Sequence, residues 1–266
     1  MPTVEQNKSA WDGGYHWDDR GDEWSKPWGG TAMQWYGVIL PRIHRFLDTG
    51  RILEIACGCG RWTQFLLPRC RSYVAVDLSA ACIETCKRRF AGIGDVAYHV
   101  NDGKSLDMIA DHSVDFVFSF DSLVHADKSV LQAYIGQFNR ILTEDGVAFL
   151  HHSNLGRYRL RYIRSRHVKA LKPVLVWLGI LEDDLHWRDW SVRAEDVRQM
   201  AESAGLKCLV QETVNWRTRR TLNDCFTTLG RKSRAQEGCL SSENRDYMNE
   251  AEHLFRLSRL YTDTGR

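Results

Sequence analysis

The chain has 266 residues, enough for one folding unit with a substantial core. Its formal net charge is only +2, from 36 basic and 34 acidic residues, which argues against a dedicated nucleic-acid binder. No apolar run approaches the roughly 20 residues needed to span a bilayer and the polar beginning has no secretory pattern, so the expected location is cytoplasmic.

Residues 1–36 form a leader rich in tryptophan, holding Trp11, Trp17, Trp24, Trp28 and Trp35 of the 10 in the chain. Its Trp28-Gly29-Gly30 turn reads as part of a lid over a ligand. Beyond it, strand-like and helix-like segments alternate. The expected strands are "RILEIA", "SYVAVD", "VAYHV", "VDFVFSF", "GVAFLHH", "LKCLVQETV" and "CFTTLGR". Helical stretches such as "RWTQFLLPRC" and "SAACIETCKRRFAG" lie between the first five, with lengths that suit right-handed crossovers. An insertion, 155–195, lengthens the connection after the fifth strand and includes an arginine-rich segment read as a solvated helix face. Residues 215–223 leave no room for a helix, so the last two strands are expected to pair as an antiparallel hairpin. Residues 241–262 read as an amphipathic final helix, a candidate surface for a homodimer.

The expected fold is α/β: a Rossmann-like, seven-stranded, doubly wound sheet with an N-terminal cap and an insertion after the fifth strand. It is read as a single domain over 1–266, with its core at 37–231. The 8 cysteines are scattered without paired loop spacing, which suits reduced thiols rather than a zinc knuckle at Cys57-x-Cys59.

The stretch "ILEIACGCGRW" joins an apolar strand to closely spaced glycines, a turn that lets backbone approach a ligand. Asp77 ends the second strand about 20 residues on, where a carboxylate can accept from both ribose hydroxyls. Asp102 follows the third strand, in reach of an adenine amino group. A dinucleotide fits poorly, because Thr63 stands where a third small residue is needed and Glu54 would crowd a pyrophosphate. A carboxylate there suits an ammonium group, as at the amino-acid end of S-adenosylmethionine.

On these residues the chain resembles the class I S-adenosylmethionine-dependent methyltransferases over about residues 37–231. Glu54, Gly58 and Gly60 match the family's first motif, with Ala56 in place of the first glycine. Asp77 with Leu78, and Asn101 with Asp102, match its ribose-side and adenine-side motifs. "VDFVFSFDSLVH" and "ILTEDGVAFLHHSN" match the fourth and fifth strands, with Glu144-Asp145-Gly146 replacing the more usual proline-glycine turn. The resemblance implies S-adenosylmethionine as cofactor and S-adenosylhomocysteine as product. It also implies a cofactor site of Trp28, Glu54, Ala56, Gly58, Gly60, Asp77, Leu78, Asn101, Asp102, Gly103 and Phe120.

Methyl transfer from a sulfonium is an in-line displacement, so the protein must align the acceptor and, for a hydroxyl, manage its proton. Two polar clusters fall just past the fourth and fifth strands: Asp121 with His125, and His151-His152-Ser153-Asn154. His125 is the candidate base, with Asp121 and His152 as its catalytic companions. The alternative is a divalent metal, magnesium or another, on Asp121, His151 and His152, completed by Glu212 or Asp224.

The tryptophans of the leader, with Trp187, Trp190 and Trp216, suggest stacking on sugar faces. The leader, with "NDGKSL", "SFDSLVH", "HHSNLG" and "QETVNW", resembles bacterial methyltransferases of glycan assembly, such as those of O-antigens or methylmannose polysaccharides. That resemblance implies O-methylation of a sugar or oligosaccharide in polysaccharide biosynthesis. The rival readings are a phenol or polyketide O-methyltransferase, an RNA methyltransferase, and a non-catalytic cofactor-binding partner subunit.

Overall fold

The computed structural model describes residues 3–158, 188–216, 221–231 and 238–262. Most of the insertion, including Trp187 and the bulk of the arginine-rich segment, lies outside the described residues. The strands are β1 (Thr49–Ile55), β2 (Cys70–Asp77), β3 (Val96–Val100), β4 (Val114–Ser119), β5 (Leu142–Ser153), β6 (Leu206–Val214), β7 (Asp224–Arg231) and β8 (Leu240–Asn244). They form one eight-stranded sheet in the order β3-β2-β1-β4-β5-β7-β6-β8. Strands β1 to β5 run parallel, and β7 is antiparallel to both β5 and β6. This is the expected Rossmann-like fold, hairpin included, with one strand more.

The extra strand occupies the start of the segment read as helix: the final helix begins at Tyr247, and Leu240–Asn244 pairs parallel with β6. Its sequence, LSSEN, is almost wholly exposed, so backbone pairing rather than an apolar pattern places it. A second correction concerns the crossover from β3 to β4, where residues 101–113 hold turns and no helix.

The central strands are apolar on both sides because both faces are covered. On one face, Ile52, Phe116, Phe118, Phe149 and Phe226 pack against Trp28, Trp35, Ile39 and Tyr247 from the leader and the final helix. On the other, Leu53, Val117, Ala148 and Leu150 pack against helix α3 (Lys128–Ile141) and helix α4 (Ala194–Ser203). The leader opens with helix α1 (Val4–Ser9), and helix α2 (Ala80–Arg89) follows β2. Ser79 caps α2 by accepting from Cys82 N at 3.2 Å, and Asp127 caps α3 by accepting from Val130 N at 3.0 Å. Both caps lie just past the carboxyl ends of strands, so the polar turns they fix border the crevice where open parallel sheets bind ligands.

Candidate active site

The glycine loop follows β1. Ala56 and Cys57 donate backbone N–H groups to Val76 O, locking the loop to β2. Ala56 has φ 58° and Gly58 φ 55°, left-handed conformations that favour glycine. The Ala56 position therefore selects for glycine by its backbone rather than by size, and the alanine carries strain beside the cavity. Gly60 is required for space as well, since a Cβ there would meet Phe90 Cε2 at 2.5 Å.

Asp77 is buried at the end of β2. One of its oxygens accepts from Gly58 N and the other from Ser79 N, both at 2.8 Å. Burial pushes its carboxyl above the usual range, against the lowering effect of those backbone donors. The loop and the acid thus form one cradle.

The leader lies across it. Trp17 packs over Gly58, Trp11 over His125 with ring centroids 5.6 Å apart, and Asp12 accepts from Ser79 Oγ at 2.7 Å. Asn7 Nδ2 reaches His125 O at 3.4 Å. Between leader and sheet lies a cavity of about 630 Å³, lined by Gly58, Asp77, Leu78 and Gly103 and also by Arg61, Phe120, Asp121, His125, Arg188 and Trp216.

Of the expected site residues, Ala56, Gly58, Asp77, Leu78, Gly103, Phe120, Asp121 and His125 line this cavity. Trp28, Glu54, Gly60, Asn101, Asp102, His151 and His152 do not. Trp28 is turned inward by the left-handed Gly29 after it and packs on Trp216 and Tyr247. Asn101 bonds Tyr134 OH and Ser105 O, and Asp102 accepts from Lys104 N and Ser105 N within its own turn.

Glu54 is buried and accepts from Thr63 Oγ1 and Tyr73 OH, both at 2.5 Å. It clamps the loop to the core instead of meeting an ammonium group. Burial raises its pKa from an ordinary 4.5 to about 7, so the fold prefers the protonated acid. Its contribution to stability is therefore full below 4.5 and declines as pH rises through about 7. Glu54→Gln is expected to flatten that part of the stability profile, read from urea midpoints across the same pH range.

Asp121, after β4, adopts φ 63°, a left-handed conformation that aspartate tolerates better than most residues. Its carboxylate pairs with Arg61 Nη2 at 2.8 Å and lies 3.2 Å from His151 Nδ1. His151 Nε2 lies 3.3 Å from Asp224, which receives Arg188 Nε at 2.6 Å and Nη2 at 2.7 Å. Arg188 in turn stacks over Trp216 at 4.3 Å. Burial alone would raise Asp121, but Arg61 and His151 hold it below the usual carboxylate range. Burial alone would lower His151, but the two flanking carboxylates more than offset it and raise its pKa.

His152 is excluded from this group by strand alternation. It points to the opposite face, where Nε2 meets Thr227 Oγ1 at 2.8 Å and burial lowers its pKa to about 4. The expected metal site of Asp121, His151 and His152 is therefore corrected. One ligand is on the wrong face, and the carboxylates of Asp121 and Asp224 are already neutralised by guanidinium groups, leaving a donor set that does not suit a dication. Among the described residues no three His, Cys, Asp or Glu groups converge as a metal sphere.

Sequence reasoning left Arg61 and Arg188 without a role. Arg61 directly follows the glycine loop, a position that signals closeness to the ligand, whereas Arg188 is joined to Asp224 only by the fold.

Residues 52–146 match a family described as Methyltransferase domain. A S-adenosylmethionine-dependent methyltransferase from Clostridium acetobutylicum is 17% identical with a TM-score of 0.53, over 78% of this chain and 92% of that one. A second, from Methanosarcina mazei, is 18% identical with a TM-score of 0.52, over 72% of this chain and 97% of the other. A protein from Pyrococcus horikoshii is 18% identical with a TM-score of 0.50, over 75% and 88%. At these identities the structural likeness carries the fold. No curated protein matches the chain by sequence.

Proposed function

We propose that this chain, whose residues 52–146 match a family described as Methyltransferase domain, transfers a methyl group from S-adenosylmethionine to a hydroxyl of a sugar or oligosaccharide. When bound, S-adenosylmethionine supplies an electrophilic methyl on a sulfonium. The cradle fits such a group: the Gly58 N–H is bonded to Asp77, and Asp77 ends β2 beside the cavity, where a ribose can be held. Asp77 would bind the ribose, Leu78 and Gly103 would flank the adenine, and the Ala56–Gly58 backbone would face the amino-acid end.

The acceptor hydroxyl then falls beside Asp121 and His125. His125 takes the proton of the reacting hydroxyl as its oxygen bonds to the methyl carbon and the bond from that carbon to sulfur breaks, while Asp121, kept ionised by Arg61, accepts a hydrogen bond from a neighbouring hydroxyl of the acceptor. The observation that carries the sugar reading is the composition of the cavity. Trp11, Trp24 and Trp216 line the same cavity as Asp121, Glu23 and Arg61, a mixture of aromatic and hydrogen-bonding groups that suits a ring with one C–H face and a hydroxylated rim.

Because tryptophans line the cavity, binding can be read from their fluorescence. With S-adenosylhomocysteine present, mannose- or rhamnose-type oligosaccharides are expected to quench it saturably. Quenching by phenols but by no saccharide would replace this reading with the phenol one.

The cofactor half is tested by Asp77→Ala, which removes a carboxylate bonded to the glycine loop. S-adenosylhomocysteine affinity is expected to fall by about 100-fold in titration calorimetry, with about 1.5–3 kcal/mol expected for a hydrogen bond to a charged group.

A further inference from the structure

We infer that Cys208 and Cys239 form an oxidation site, closed to a disulfide by a hydroperoxide, that staples the edge strand β8 to the sheet. The inference stands apart from the methyl-transfer reading, since neither cysteine lines the cavity.

Cys208 lies in β6, and Cys239 directly precedes Leu240, the first residue of β8. Leu240 pairs with Val210, so the parallel pairing of β6 and β8 brings the two cysteines together from 31 positions apart. Their Sγ atoms are 2.9 Å apart, well inside the roughly 3.5–4.0 Å of ordinary packed atoms. A disulfide needs about 2.05 Å, so closure asks for a further approach of about 0.9 Å. Two other thiol pairs, Cys57 with Cys86 and Cys59 with Cys82, stand farther apart at 3.9 Å, and all four of those residues are buried. The Cys208 pair joins the closest approach to a partner an oxidant can reach, because Cys239 is half-buried at the sheet edge.

The Cys239 sulfur attacks the hydroperoxide. An S–O bond forms, the O–O bond breaks, and the thiol proton leaves with the departing oxygen. The Cys208 sulfur then displaces the new hydroxyl. The S–S bond forms, the S–O bond breaks, and the hydroxyl leaves as water with the Cys208 proton. Two thiols lose two electrons in all, and the hydroperoxide gains them. The staple matters because β8 buries no side chain and has β6 as its single strand neighbour. It also closes a loop over residues 208–239 that contains β7, which removes conformations from the unfolded chain.

The test treats the folded wild type with hydrogen peroxide, alkylates the remaining thiols in denaturant and maps the peptides without reduction. A peptide cross-linked through Cys208 and Cys239 is expected before any other pair among the 8 cysteines. In urea titrations the unfolding equilibrium constant of the oxidised protein is expected to be about 100-fold below that of the reduced protein, and to return with dithiothreitol. Cys239→Ser is expected to lose both the cross-link and the redox difference, and Cys208→Ala gives the same readout if the serine variant does not fold. Four results overturn the proposal: both thiols still alkylated after peroxide, another pair cross-linked first, Cys239 carried to the sulfinic acid with Cys208 still free, or a cross-link that leaves the unfolding constant unchanged.

Discussion

His125→Ala is expected to slow methyl transfer by about 10²–10⁴-fold, the range for losing a positioned general base, while S-adenosylhomocysteine binding stays within about tenfold. His125 closes the turn Leu123–His125 after β4, lines the cavity, and has its ring against Trp11. An imidazole within reach of the acceptor hydroxyl can take its proton without a metal. The contrast is His152→Ala. That ring is bonded to Thr227 on the opposite face of the sheet, so its loss is expected to lower stability and leave single-turnover rates nearly intact in folded protein. Equal rates for wild type and His125→Ala would remove His125 from the chemistry.

Asp224→Ala is expected to destabilise the protein by about 3–5 kcal/mol, the usual cost of removing one partner from a buried ion pair. Asp224 is fully buried and takes both Nε and Nη2 of Arg188 while facing His151. Without it, the buried Arg188 guanidinium loses a carboxylate bonded through two nitrogens, and His151 keeps only Asp121 of its two flanking carboxylates. Its carboxyl is held far below the usual range by Arg188 and His151 against the opposing effect of burial, so its contribution persists from neutral pH well into acid. Urea midpoints measure the loss. The double variant Arg188→Met with Asp224→Leu is expected to cost less than Asp224→Ala alone, because it buries no unpaired charge.

What the sequence disclosed follows from how local each signal is. Strands β1, β2, β4 and β5 read directly, because a strand buried on both faces is a short apolar run and Asp77 or Asp121 marks where it stops. The Gly58–Asp77 cradle was legible for the same reason: turn chemistry and a strand end suffice. Strand β8 was not, because LSSEN has no buried face and owes its place to β6. His151 and His152 show the limit most clearly. Adjacent residues on a strand face opposite sides, so which of them meets Asp121 depends on register that a pair of histidines does not reveal. The Trp28 position failed similarly, since the indole's direction is set by Gly29 and the final helix rather than by the leader. Arg188 and Asp224 are 36 residues apart, and only the sheet brings them together.

The most direct measurement is transfer of label from methyl-labelled S-adenosylmethionine to mannose- and rhamnose-type oligosaccharides, with and without a chelator. The account predicts labelled saccharide in both conditions, because the charges around Asp121 and Asp224 are balanced by arginines and not by a metal. Cofactor binding with no saccharide labelled would contradict the sugar acceptor, and labelling abolished by the chelator would contradict the arginine-paired site.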